Sequence, residues 1–65
     1  MSNKKNLRFL RVKDVADKTG LSVSHIYALL ADRKFPERVK ISENVSVFVE
    51  HEIDDWIKQK ITQGR

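Results

Sequence analysis

The stretch DVADKTGLSVSHIY, residues 14–27, decides the fold of this chain. Ala16 is small enough to let a second helix approach closely, and Gly20 can take the positive φ that a helix end and a sharp turn need. Ser22 can cap the next helix by accepting one of its free N–H groups. Ile26 points back into the angle between the two helices. This spacing predicts a helix-turn-helix, a unit that presents its second helix to the DNA major groove.

Length and charge restrict the class of protein. The 65 residues suffice for one small domain with little room for a substrate cavity, and the net charge of +4 suits a polyanionic partner. The chain has no cysteine, which fits a reducing cytoplasm, and no apolar run approaches the roughly 20 residues of a membrane span. We therefore expect a cytoplasmic, nucleoid-associated protein without a membrane contact.

The pattern of apolar and turn residues predicts a mainly α fold with a small β-hairpin, a winged helix-turn-helix of three helices with a short N-terminal strand. A proline ends the second helix in this prediction, because the residue before a proline disfavours helical geometry. We expect a flexible basic tail at residues 1–6, the domain at 7–62 and a frayed end at 63–65. The elements are expected as a strand within 7–12, helices at 13–19, 23–33 and 50–61, and hairpin strands at 38–41 and 45–49 around a three-residue loop.

These features together resemble the AlpA family of prophage regulators, within the excisionase-like and MerR-like winged helix-turn-helix group. The resemblance covers about residues 7–61 and rests on residues 10–15 (LRVKDV), 19–22 (TGLS), Ser24, 26–27 (IY), 35–36 (FP), 39–41 (VKI), Glu50, Glu52, Ile53 and 56–57 (WI). It implies a small DNA-binding protein of a prophage or genomic island that switches on an integrase gene, assists excision, or both.

The chain departs from the family pattern where relatives often carry arginine, at Val23, Ala28 and Val49, and at the hairpin tip, where Ser-Glu-Asn at 42–44 replaces the common Gly-Gly-Arg. The fold prediction is unaffected by these changes. The phosphate contacts, however, have to be assigned from this chain's own residues.

The candidate base-reading residues lie at the start of the second helix, since the N-terminal residues of a recognition helix reach base edges. Ser24 and His25 can each donate or accept a hydrogen bond, although His25 could also be a solvent-facing residue without a role. For Ser22 we favour helix capping over DNA contact. Tyr27 either reaches a phosphate with its hydroxyl or is a half-buried core residue, and the sequence leaves both readings open.

Basic residues are expected to contact phosphates on both sides of the groove, although a solvated surface is the usual place for lysine. These candidates are Lys13, Arg33, Lys34, Arg38 and Lys40. Asn44 at the hairpin tip could enter the minor groove, where an amide suits A·T acceptors. For Asn44 we favour the role of a turn residue.

The sequence offers no sign of an enzyme, a cofactor or a metal site. The four acidic residues early in the third helix are explained as a complement to the helix dipole and a solvated face, and nothing indicates a cleft that would shift their pKa values. We expect Val45, Val47, Phe48 and Trp56 to be core residues rather than functional ones.

The sequence thus predicts a sequence-specific double-stranded DNA-binding regulator, acting on transcription of an integrase gene or as an excision (recombination directionality) factor. A module of this size buries only roughly 600–1,000 Å² on DNA, so several copies on adjacent sites are expected, and a phage-type integrase is a candidate partner. The alternative is a protein-interaction adaptor that keeps the fold without strong DNA binding, suggested by the shortage of arginine in the second helix.

Overall fold

A computed structural model describes residues 7–65, so the predicted basic tail at 1–6 lies outside the described part. The elements follow in the order β1 (Phe9–Leu10), α1 (Val12–Thr19), α2 (Val23–Ala31), β2 (Val39–Ser42), β3 (Val45–Val49) and α3 (Glu50–Gln63). The strands form one antiparallel sheet with β3 between β1 and β2. This architecture confirms the predicted winged helix-turn-helix, mainly α with a small β component.

The turn between α1 and α2 has the expected chemistry. Gly20 has a φ of 79° and closes α1 by donating its N–H to the carbonyl oxygen of Ala16 at 2.8 Å. Ser22 caps α2, its Oγ accepting from the N–H of His25 at 3.1 Å. The hydroxyl of Thr19 accepts from the N–H of Leu21 inside the turn. The polar groups of this short connection are therefore largely satisfied by local bonds, which holds the two helices at a defined angle.

The predicted end of the second helix was wrong, because α2 stops at Ala31, ahead of both Arg33 and the proline. Arg33 has a φ of 58°, in the left-handed region. Its N–H donates to Leu30 and the N–H of Lys34 donates to Leu29, which is the paired bonding of a Schellman motif. An arginine here takes the place that glycine usually fills, so the sequence carried no signal for this stop.

The strands also differ in detail from the prediction. The N-terminal strand is only Phe9–Leu10, because β1 pairs with just two residues of β3, Val49 and Phe48. In the hairpin, Ser42 pairs with Val45, so the connection is the two residues 43–44 rather than three. A register irregularity between Lys40 and Ser42 accompanies this short turn.

The core lies where α1, α2, α3 and the inner face of the sheet meet. Val15, Ile26 and Ile53 are fully buried, and Phe48 is 1% exposed. Phe35 is buried with its ring edge-on to both Phe48 and Trp56. The core prediction is confirmed for Val47 and Phe48, whereas Val45 and Trp56 are only half-buried.

Two of the four early acidic residues of α3 form ion pairs, rather than simply facing solvent. Lys18 of α1 contacts Glu50 at 3.3 Å and Asp54 at 2.9 Å, and Arg8 lies 3.7 Å from Glu50. The hydrogen bonds to Asp54 and then Glu50 raise the pKa of Lys18 above its ordinary value. These contacts connect α1 with the start of α3. None of the helices in residues 7–65 is long and apolar enough to cross a membrane.

Candidate nucleic-acid interface

The first turn of α2 stands free on the surface. Ser22, Ser24 and His25 are all exposed, whereas Ile26, the next residue, is fully buried. The helix is thus anchored by its inner face while its N-terminal residues remain open to a partner. Because the Oγ of Ser22 is engaged by the N–H of His25, Ser22 acts as a helix cap, as favoured from the sequence.

Tyr27 lies on the flank of α2 and is 44% exposed, which places it outside the buried core. The guanidinium carbon of Arg38 lies 5.7 Å from the centre of the Tyr27 ring, within the range of a cation–π contact. This contact links α2 to the segment that leads into β2. It brings together two residues that the sequence had proposed separately for phosphate contact.

A polar cleft opens between α2 and the β2–β3 hairpin, which we call the wing. Its volume is about 220 Å³. The polar residues that line it are Arg11, Tyr27, Arg38, Asn44 and Ser46. Three of the predicted site residues therefore meet here, Tyr27, Arg38 and Asn44. No cleft was expected around the acidic residues of the third helix, and this cleft, which is lined by none of them, was not anticipated.

Strand alternation explains why this cleft is polar. Phe48 faces the core, and Ser46, two residues earlier on β3, shares its face because side chains alternate along a strand. This face of β3 therefore passes from the buried Phe48 to the polar, half-buried Ser46. Phe48 and Val12 form the apolar inner end of the cleft.

The remaining predicted basic residues are exposed and do not line the cleft. Lys13 lies in the first turn of α1, Lys40 lies opposite Ser46 on β2, and Arg33 and Lys34 follow α2. Among residues 7–65, the ion pairs involve only Arg8 and Lys18, so all the predicted basic candidates keep their charges unpaired.

Two polar residues of the cleft were absent from the predicted site, Arg11 and Ser46. Arg11 immediately precedes α1, within the residues 10–15 on which the family resemblance rests. Ser46 could have been found by alternation, since it lies two residues before the predicted core residue Phe48. The position of Arg11 against the wing has no local signal, because it depends on contacts between distant parts of the chain.

Comparisons with known proteins agree with this architecture. The family model of the prophage CP4-57 regulatory protein (AlpA) matches residues 8–61. The DNA-binding transcriptional activator AlpA of Escherichia coli (strain K12) is 32% identical over 66 aligned positions, which cover 92% of this chain and 94% of that protein. No solved structure gives a significant match. The chain belongs to the AlpA family of prophage regulatory proteins.

Proposed function

We propose that this member of the AlpA family is a sequence-specific double-stranded DNA-binding regulator that inserts α2 into the major groove. The observation that carries the proposal is the exposure of Ser24 and His25 next to the fully buried Ile26. A recognition helix needs this arrangement, in which a packed inner face supports polar side chains that reach base edges. The E. coli relative is described as a DNA-binding transcriptional activator, which supports the same role here.

Unpaired basic residues in α1, after α2 and on the wing support the same proposal. Lys13 precedes α2 along the chain, Arg33 and Lys34 follow it, and Lys40 lies on the wing. We propose that these residues contact the phosphates that border the groove, which fixes the register of α2 while the base contacts supply sequence preference. Each such contact should steepen the dependence of binding on salt by nearly one unit of the log–log slope.

Base recognition can be tested by selecting bound DNA from a random pool and then measuring affinity for the selected site. The double variant Ser24→Ala/His25→Ala should lose most of the preference for the selected site over random DNA. Its stability should stay near that of the parent, because both side chains are exposed. The matched control is His51→Ala, which removes an exposed histidine from α3. Unchanged site preference in the double variant would contradict the proposed role of α2.

The alternative, an adaptor that retains the fold without strong DNA binding, predicts a different salt response. A DNA-binding protein should be retained on duplex DNA at low salt and released steeply as salt rises. Absence of binding near roughly 50 mM salt, or binding that ignores salt, would favour the adaptor. We favour DNA binding because the basic residues that were predicted to contact phosphates form no ion pair with a carboxylate within residues 7–65.

We further propose that the regulated process is expression of an integrase gene, excision by a phage-type integrase, or both. Both activities need the same DNA-binding domain, so they are separated by genetics. Deleting the gene and measuring integrase transcript and excision frequency gives the answer. A fall in transcript supports the transcriptional role, and a fall in excision when integrase is supplied from another promoter supports the excision role. No change in either would contradict this part of the proposal.

Several copies are proposed to bind adjacent sites, since one small domain covers little DNA. The sheet face opposite Phe48 supports this idea because part of it is apolar and exposed, although Val47 on that face is buried. Phe9 lies opposite Val49 and Val39 lies opposite Val47, and Phe9 and Val39 are 57% and 39% exposed. Footprinting should show protection that extends cooperatively over neighbouring repeats. Full affinity for an isolated single site would contradict the proposal.

A further inference from the structure

We propose that the cleft between α2 and the wing is a preformed binding site for one phosphate group of the DNA backbone. The proposal rests on the proposed function, because the phosphate comes from the DNA that α2 reads. The proposal assigns this phosphate to a single defined pocket that holds one phosphate group. It also includes two residues that were not among the site residues predicted from the sequence, Arg11 and Ser46.

The donors that line the cleft suit an oxyanion. Arg11 and Arg38 provide two guanidinium groups, which match phosphate oxygens in a forked geometry. The hydroxyls of Tyr27 and Ser46 and the amide of Asn44 add neutral donors. Among the described residues that line the cleft there is no carboxylate to repel an anion or to neutralise the two arginines.

The size of the cleft also fits this ligand. The cleft has a volume of about 220 Å³, well above the space that a single ordered water needs. This is enough for a tetrahedral phosphodiester and a few bridging waters. Of the aromatic residues that line the cleft, Phe48 is buried in the core and the Tyr27 ring already lies beside Arg38, so a stacked base fits less well.

One of the two arginines is already held in place in the free protein. The Arg38 guanidinium rests near the Tyr27 ring at 5.7 Å, and neither Arg38 nor Arg11 is in an ion pair within residues 7–65. A cation that is positioned but unpaired loses little conformational freedom when it binds an anion. By contrast, Arg8 lines a different groove with Asp14, Asp17 and Glu50 and is paired with Glu50.

The origin of the lining residues gives the site a mechanical role. Arg11 comes from the start of α1, Tyr27 from α2, and Asn44 and Ser46 from the wing. A phosphate held by all of them connects three separate elements at one point. Binding it would therefore fix the angle between the recognition helix and the wing on the DNA.

The test compares three variants that each remove one positive charge, Arg11→Gln, Arg38→Gln and Arg8→Gln. The first two should each weaken binding to the selected DNA about tenfold, since a charged hydrogen bond is worth roughly that factor. Each should also reduce the magnitude of the log–log salt slope by about 0.9. Arg8→Gln removes the same charge but should change neither the affinity for the selected DNA nor the salt slope by much. The preference among DNA sequences should remain as in the parent, because phosphate contacts carry no base information.

Phosphate-ethylation interference provides a second readout that a general charge effect would not change. With the parent protein, ethylation of one DNA phosphate next to the base pairs that α2 contacts should block binding. That interference should disappear in Arg38→Gln and in Arg11→Gln and persist in Arg8→Gln. The variant Tyr27→Phe keeps the ring beneath Arg38 and removes only the hydroxyl, so it should show a smaller loss than Arg38→Gln.

The outcomes separate this inference from the proposed function. If the parent protein does not bind duplex DNA, the proposed function fails. If the parent binds DNA with sequence preference but Arg11→Gln and Arg38→Gln behave like Arg8→Gln, the phosphate site is overturned while the role of α2 stands. If ethylation interference is the same in all variants, the phosphate site is likewise overturned.

Discussion

The indole Nε1 of Trp56 donates a hydrogen bond of 3.0 Å to the main-chain carbonyl oxygen of Lys34. This bond joins α3 to the segment that leaves α2. The Phe35 ring packs edge-on against the same indole, with ring centres 4.7 Å apart. The segment that follows α2 is thus held by a residue of α3, so the position of the end of α2 depends on α3.

Trp56→Phe should destabilise the protein by at least about 1 kcal/mol, because it removes a hydrogen bond typically worth that much and also part of the ring that packs against Phe35. The cost stays moderate because Lys34 is exposed and water can replace the indole. Urea unfolding followed by circular dichroism measures this change, since Trp56 is the only tryptophan and its fluorescence is lost in the variant. Lys34→Ala keeps the carbonyl and should stay within about 0.5 kcal/mol of the parent. A Trp56→Phe variant as stable as the parent would show that the bond contributes nothing.

Arg33→Gly should stabilise the fold by about 1 kcal/mol, because glycine adopts the left-handed conformation without the Cβ clash that Arg33 bears at φ 58°. The matched control is Arg33→Ala, which removes the same charge and keeps the strained backbone. The difference between the two unfolding free energies isolates the backbone effect. Both variants should weaken DNA binding equally if Arg33 contacts a phosphate. Equal stability of the two variants would contradict the argument from strain.

Gly20→Ala should destabilise the turn by about 1–2 kcal/mol through backbone strain alone. The φ of Gly20 is 79°, yet a Cβ built there meets nothing within 4 Å, so no steric clash adds to the cost. Gly20→Asn should cost less, since asparagine tolerates the left-handed region better. Chemical denaturation of both variants tests this order. A larger loss for asparagine than for alanine would indicate a steric cause instead.

The ion pairs of Lys18 should make stability fall at high pH. Hydrogen bonds to Asp54 and Glu50 raise the pKa of Lys18 above its ordinary value of 10.5. A raised pKa means that the contribution is fully present below pH 10.5 and is lost as pH rises through the folded-state value. The difference in Tm between the parent and Lys18→Met should therefore be constant near neutral pH and shrink above pH 10.5.

Lys13→Met is the control for this experiment. Lys13 is an exposed lysine on the same helix and is in no ion pair within the described residues. Its Tm difference from the parent should show no comparable change with pH. If the Tm difference between the parent and Lys18→Met stays unchanged above pH 10.5, then packing of the Lys18 side chain, rather than its charge, stabilises the fold.

Much of the fold follows from local rules that can be applied to the sequence alone. Gly20 and Ser22 mark one helix end and the next helix start, and Ile26 is expected to point into the angle between the two helices, where it is buried. The same rules fail at Arg33, because a non-glycine residue in the left-handed region has no distinctive sequence signal. The stop of α2 comes from the two capping hydrogen bonds of the folded chain.

The sequence by itself determined the helix-turn-helix, the exposed position of Ser24 and His25, and the family, because each depends on residues close together in the chain or in a recognisable order. Only the tertiary structure decided the cleft, since Arg11, Tyr27 and Ser46 are brought together by packing of the wing against the helices. Local propensity cannot specify such an arrangement, because it depends on contacts between residues that are distant in sequence.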